Sequence, residues 1–152
     1  MEKVRFGIIG IGNMGTGHIH NFNSGRIREA VITALCDIDP ARLEAGLKLA
    51  GEGVQGFDKA EDLDAILIAT PHYFHPVYAI EGFAAGLNVL SEKPAGVYTK
   101  QVRQMNEAAA RSGKVFGLMF NQRTNPLYQK VKDLISSGEL GELRRVNWII
   151  TD

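Results

Sequence analysis

The sequence predicts an α/β fold, a doubly wound parallel sheet with helices on both faces. Short β-branched runs alternate with stretches of helical period along most of the chain. Strands separated by helices imply crossover connections and parallel pairing. "AILIA", residues 65–69, is apolar on both faces, as a central parallel strand covered by helices must be.

Six strand candidates follow in order: "VRFGIIG" (4–10), "VITALCD" (31–37), "GVQGF" (53–57), "LDAILIAT" (63–70), "LNVLSE" (87–92) and "VFGLMF" (115–120). The first runs into a helix containing Ile19 and Phe22. After the second, Asp39 and Pro40 read as a helix N-cap followed by proline at the first helical position. Val77, Ile80, Ala84 and Leu87 recur at three- and four-residue steps, as do Val102, Met105 and Ala109, and each set predicts one apolar stripe. Beyond Phe120, Leu127, Val131, Leu134 and Ile135 share a helical face between Pro126 and Gly138. "ELRRVNWIITD" then reads as the first strand of a further, truncated α/β domain. The expected division is 1–120 for the first domain and 121–152 for the linking helix and that strand.

Composition narrows the function. Of 152 residues, 45% are hydrophobic and 22% charged, which is a globular make-up. Seventeen basic and seventeen acidic side chains cancel and no basic block occurs, so nothing points to nucleic acid or an anionic membrane as a partner. No run of about eighteen apolar residues and no signal-peptide pattern is present, and the expected compartment is the cytoplasm. Cys36, the one cysteine, reads as a buried, inert thiol.

The first strand leads into "GIGNMG", with Gly10, Gly12 and Gly15 spaced G-x-G-x-x-G. The first glycine permits a tight turn, the second lets a pyrophosphate approach the backbone, and the third lets helix and strand pack closely. The helix N-terminus then offers unpaired N–H groups to the phosphates. Asp37 ends the second strand, where a ribose-binding carboxylate belongs, and this context predicts a dinucleotide-binding Rossmann domain. A carboxylate there accepts from both ribose hydroxyls and repels a 2′-phosphate, which favours NAD over NADP. Arg42 is expected on the surface of the next helix.

Taken together, "GIGNMG", "CDIDPARL", "ATPHYFH", "GLNVLSEKPAG" and "FNQRTNP" resemble, in order and spacing, the glucose-fructose oxidoreductase, inositol dehydrogenase and rhizopine catabolism (Gfo/Idh/MocA) family. The resemblance spans essentially the whole chain. It implies hydride transfer between a nicotinamide cofactor and a sugar, inositol or related polyol, and assembly as dimers or tetramers. It also implies a second α/β domain that completes the substrate site. The chain therefore reads as a fragment or truncated product, expected to be inactive alone.

Ligands of such folds bind outside the carboxyl ends of the strands. That rule, with the resemblance, gives the expected cofactor-binding set Gly10, Ile11, Gly12, Asn13, Met14, Gly15, Asp37, Thr70, Pro71, His72, Glu92, Lys93 and Arg123. Asn121 matches the same family segment as Arg123, where capping and surface charge at a helix start are the competing explanation. Lys93 is the expected catalytic residue, since an ammonium beside the reacting oxygen stabilises negative charge developing there. For lysine to serve as the base itself, burial or a neighbouring positive charge would have to favour its neutral form. Glu92 could hold Lys93 or the nicotinamide ribose. Pro94 shapes the turn; most X-Pro bonds are trans, while the resemblance admits a cis bond.

His72 could contact cofactor or substrate, and His75 is expected to cap or orient the following helix. No metal site is expected from His72 with His75 or from His18 with His20, because residues two apart on a helix face different ways and no carboxylate or cysteine cluster joins them. A non-catalytic dinucleotide-binding or interaction module is the alternative reading, distinguished by "EKP", which a mere binder does not need.

Overall fold

The computed structural model describes residues 2–56 and 63–149, and it falls into two compact units, Met1–Met119 and Phe120–Asp152. The first unit is built on one six-stranded sheet. Its strands are β1 (Val4–Ile9), β2 (Ala30–Cys36), β3 (Gln55–Gly56), β4 (Ala65–Ile68), β5 (Asn88–Glu92) and β6 (Phe116–Met119). They lie in the order β3-β2-β1-β4-β5-β6, and every pairing is parallel. All six expected strands are present; Phe57, at the end of the third candidate, lies outside the described residues.

Helices α1 (Asn13–Asn23), α2 (Pro40–Ala50), α3 (His75–Ala84) and α4 (Thr99–Ser112) connect the strands. Side chains alternate across a strand, so β4 feeds two cores. Leu67 joins Ile8, Ile11, Ile19 and Leu35, with α1 and α2 supplying Phe22, Leu43 and Leu47. Ile66 and Ile68 point the other way, into a cluster with Ala79, Phe83, Val89 and Met105 from α3, β5 and α4. Burying each such Ile or Leu contributes about 2 kcal/mol. This two-sided burial is why the β4 run carries no polar alternation.

The start of α2 follows the sequence reading, with Asp39 accepting from the Ala41 N–H at 2.9 Å and Pro40 in the first turn. Arg42 is exposed, 3.5 Å from Asp39. On α4, Met105 is fully buried between half-buried Val102 and Ala109, as the predicted stripe requires.

The predicted stripe on α3 is buried only in part: Ile80 and Leu87 pack against the core, whereas Val77 and Ala84 are exposed. Leu87 lies beyond the helix end, and His75, Pro76, Ala79, Gly82 and Phe83 are buried. The reason is steric: a Cβ at Gly82 would stand 2.5 Å from Ile66 Cδ1, so the helix turns its small residues toward the sheet and packs closely. Cys36, the last residue of β2, is half-buried rather than buried.

In the second unit, Asn121–Thr124 make a 3-10 turn and α5 spans Pro126–Ser136. Asn125 caps α5 by accepting from the Leu127 N–H at 3.0 Å. The helix forms where its apolar period placed it, yet Leu127, Val131 and Ile135 stay exposed. Tyr128 and Trp148 pack with ring centroids 5.1 Å apart. The strand expected from residue 142 onward is absent across residues 142–149, and residues 150–152 lie outside the described part. A strand exists only by hydrogen bonding to a neighbour, and residues 142–149 carry no such pairing.

Candidate functional site

The strand order reverses beside β1: β1 pairs with β2 on one side and with β4 on the other. Such a switch point opens a crevice at the carboxyl ends of the strands, where ligands of open α/β sheets bind. The glycine loop occupies it. Gly10 has φ 94°, and a Cβ there would lie 2.8 Å from the Ala69 carbonyl carbon and oxygen and 2.9 Å from the Thr70 nitrogen. Only glycine lets β1 turn against the end of β4. At Gly15 a Cβ would collide with the Gly10 carbonyl, so the third glycine brings α1 against the loop.

Gly12 differs from both. Nothing lies within 4 Å of a Cβ built there, and the residue is the N-cap of α1 without a side-chain hydrogen bond. The first turn of α1 carries no acidic side chain. Asn13 and Met14 are exposed beside it. An open approach to an uncapped helix N-terminus, with its positive dipole end, suits a pyrophosphate.

Asp37 is committed on both oxygens to backbone donors. Oδ2 accepts from the Ile11 N–H at 2.6 Å and Oδ1 from the Asp39 N–H at 2.8 Å. The carboxylate therefore ties the glycine loop to the end of β2. Each oxygen keeps a second acceptor site, which is what ribose hydroxyls need. Ile38, the next residue, is fully exposed.

At the end of β4, Thr70 Oγ1 is buried with no hydrogen-bond partner among the described residues. Such orphans are uncommon in folded proteins and point to a missing ligand or water. Pro71 and His72 follow, both exposed, with Pro71 preceding a 3-10 turn that spans His72–Phe74. The open glycine, the uncapped helix, the spare capacity of Asp37 and the orphaned threonine all fit a dinucleotide.

The end of β5 holds the charged turn. Glu92 is 5% exposed and His18, on α1, 8% exposed. His18 Nε2–H donates to Glu92 Oε1 at 2.9 Å, and Glu92 Oε2 accepts the backbone N–H of Lys93 at 3.2 Å. Glu92 thus holds Lys93 through its amide, from a buried position rather than a solvated one. Lys93 is exposed, and the Lys93–Pro94 peptide bond is cis. His18 was not among the residues expected in the site. Its signal in the sequence was weak: it lies three residues after Gly15, on the same face of α1, and its partner is 74 residues away.

His75 does not cap α3. That N-cap is Phe74, and the buried His75 ring instead meets the carbonyl oxygens of Pro94 and Thr70. Arg123 belongs to the second unit, exposed, with its guanidinium 5.9 Å from the Phe120 ring centroid. Asn121 opens the same turn. Among the described residues, no three His, Cys, Asp or Glu side chains gather to hold a metal ion. No described helix is long and apolar enough to cross a membrane.

The comparisons agree with this geometry. The family described as "Oxidoreductase family, NAD-binding Rossmann fold" (Gfo/Idh/MocA) matches residues 4–120. The inositol 2-dehydrogenase of Corynebacterium glutamicum (strain R) is 34% identical over 149 residues, covering 93% of this chain and 44% of the relative. The scyllo-inositol dehydrogenase of Lactobacillus casei, solved with bound NAD(H) and scyllo-inositol, superposes with a TM-score of 0.83 at 28% identity, covering 93% of this chain and 43% of that one. The WlbA dehydrogenase of Bordetella pertussis, solved with NADH and UDP-GlcNAcA, gives a TM-score of 0.83 at 32% identity, covering 92% and 41%. The chain spans about half the length of the relatives it matches. With its glycine loop, switch-point crevice and parallel sheet, the chain belongs to the Gfo/Idh/MocA oxidoreductase family, and its first unit is that family's NAD-binding Rossmann domain.

Proposed function

We propose that the chain is the cofactor-binding part of an oxidoreductase that moves hydride between NAD and a sugar, inositol or related polyol, with Lys93 as the catalytic residue. The observation that carries the reading is the buried Glu92, held by His18 and accepting the Lys93 amide, which presents an exposed lysine at the carboxyl end of β5. A solvent-facing strand end has no need of a buried carboxylate beneath its turn. The relatives named as inositol dehydrogenases supply the substrate class.

Bound NAD supplies the hydride acceptor in the oxidative direction. The chain's own residues do the rest. Gly10, Ile11, Gly12, Asn13, Met14 and Gly15 present backbone to the pyrophosphate, and Asp37 accepts from the adenosine ribose. Thr70, Pro71, His72 and Glu92 line the nicotinamide end. Lys93 donates a hydrogen bond to the reacting oxygen and stabilises the negative charge left there as the hydroxyl proton passes to a general base or to water, before hydride leaves the adjoining carbon. Residues 121–152 open a second α/β domain in this reading, and homo-oligomeric assembly in the cytoplasm goes with it.

The test has two measurements. Titration of the chain with NADH checks the shared premise of binding. In the protein as the cell makes it, Lys93→Met lowers turnover by about 100-fold or more while leaving NADH affinity nearly unchanged. Turnover retained within a few fold would remove Lys93 from the chemistry.

A further inference from the structure

His75 is fully buried, yet both of its ring nitrogens face an acceptor. Nδ1 stands 2.7 Å from the carbonyl oxygen of Pro94, and Nε2 stands 2.8 Å from that of Thr70. A carbonyl oxygen only accepts. A neutral imidazole has one N–H and one lone pair, so it could donate to one of these oxygens and would turn its lone pair toward the other. At a buried site that second contact is repulsive and leaves the carbonyl unsatisfied. With hydrogen on both nitrogens the two contacts become N–H···O bonds, and 2.7 and 2.8 Å lie in the range of charge-assisted ones.

A buried cation costs solvation, and the two carbonyl dipoles that point at the ring offset that cost here. The His72 ring meets the His75 ring edge-on at 5.5 Å between centroids.

We propose that His75 is a doubly donating clamp that binds the Thr70 and Pro94 carbonyls at once and so locks the turn after β4 to the turn that carries Lys93. The clamp deepens the reading of Lys93 given above and rests on it. Lysine has a long, freely rotating side chain, and its placement against a reacting oxygen depends on the backbone it hangs from. Glu92 fixes that backbone from the α1 side through the Lys93 amide. His75 fixes it from the α3 side through the next residue. His75 touches neither the reacting atoms nor the solvent and is a positioning residue.

The experiment begins with a long-range proton–nitrogen correlation spectrum of the chain labelled with nitrogen-15 at histidine, recorded at neutral pH and assigned with His75→Gln. Both His75 nitrogens are expected in the protonated range; one nitrogen in the unprotonated range overturns the clamp. In the protein as the cell makes it, His75→Phe is expected to lower kcat by about tenfold or more with NADH affinity within about threefold. His75→Gln, which keeps an N–H donor, is expected to recover part of the loss. An unchanged kcat in His75→Phe overturns the positioning role. The wild-type spectrum decides the clamp even where His75→Phe does not fold. Failure of the wild type to bind NADH, or full turnover of Lys93→Met, would sink the proposed function, whereas the protonation of the two ring nitrogens is read independently of either.

Discussion

His18 on α1 and Glu92 at the end of β5 share a 2.9 Å hydrogen bond in a site where both are almost wholly buried. The helix that opens from the glycine loop is thereby joined to the turn that bears Lys93. Removing one partner of a buried pair strands the other. His18→Phe is therefore expected to lower stability by about 1–3 kcal/mol, read as a shift in the urea unfolding midpoint. An unshifted midpoint would mean that Glu92 finds another donor.

Gly10 and Gly12 separate folding from binding. Gly10→Ala forces a side chain into φ 94° and against the Ala69 backbone, and the expected cost is about 2 kcal/mol or more. Gly12→Ala enters open space on extended backbone and costs under about 1 kcal/mol as a poorer N-cap. On the proposed reading its methyl group stands in the pyrophosphate approach, and NADH affinity is expected to fall by about tenfold or more. Thermal unfolding and NADH titration of the two variants check the contrast, and normal NADH binding by Gly12→Ala would move the pyrophosphate elsewhere.

Asp37→Ala is expected to weaken NADH binding and to narrow the preference for NADH over NADPH. It also leaves the Ile11 and Asp39 amides without their acceptor. Loop loosening weakens both cofactors alike, so the ratio of the two dissociation constants is the informative readout. A ratio equal to that of the wild type would take Asp37 out of the ribose site.

Asp64 sits in a fork with Arg5, which donates from Nε at 3.0 Å, from a terminal guanidinium nitrogen at 2.9 Å and from its backbone N–H at 2.8 Å. The side-chain bonds, then the backbone bond, lower the Asp64 pKa from 3.8 to about 2. A carboxyl group whose folded pKa is depressed adds stability above its ordinary value and loses that contribution as pH falls through the folded one. The contribution is thus present above about pH 4 and fades toward pH 2. The side chains are 37% and 38% exposed, so solvent screening keeps the effect modest. Asp64→Asn should flatten the acid limb of a stability-against-pH curve without moving NADH affinity. An unchanged limb would assign the acid sensitivity to other carboxylates.

Much of this protein was legible along the chain. Six strands, the glycine spacing, the Asp39 cap and the carboxylate at the end of β2 depend on periodicity and turn chemistry, which act between near neighbours. The residue patterns that resemble the Gfo/Idh/MocA family are of the same local kind. Where the outcome turned on a partner far away, the sequence was silent. His18 and Glu92 are 74 residues apart, and His75 reaches back five residues to Thr70 and on nineteen to Pro94. On α3 the spacing found Ile80, which packs against the core, but the exposure of Val77 and the burial of Gly82 depended on the close fit of Gly82 over Ile66. Residues 142–149 have strand-forming composition and make no strand, because pairing belongs to two segments and composition describes only one. Local pattern determined the six strands of the sheet and the glycine loop by itself. The sheet order, which sets β4 against β1 and β5 against β4, decided which polar groups meet at the carboxyl ends of the strands, since a buried polar group must find its partner wherever the fold brings one.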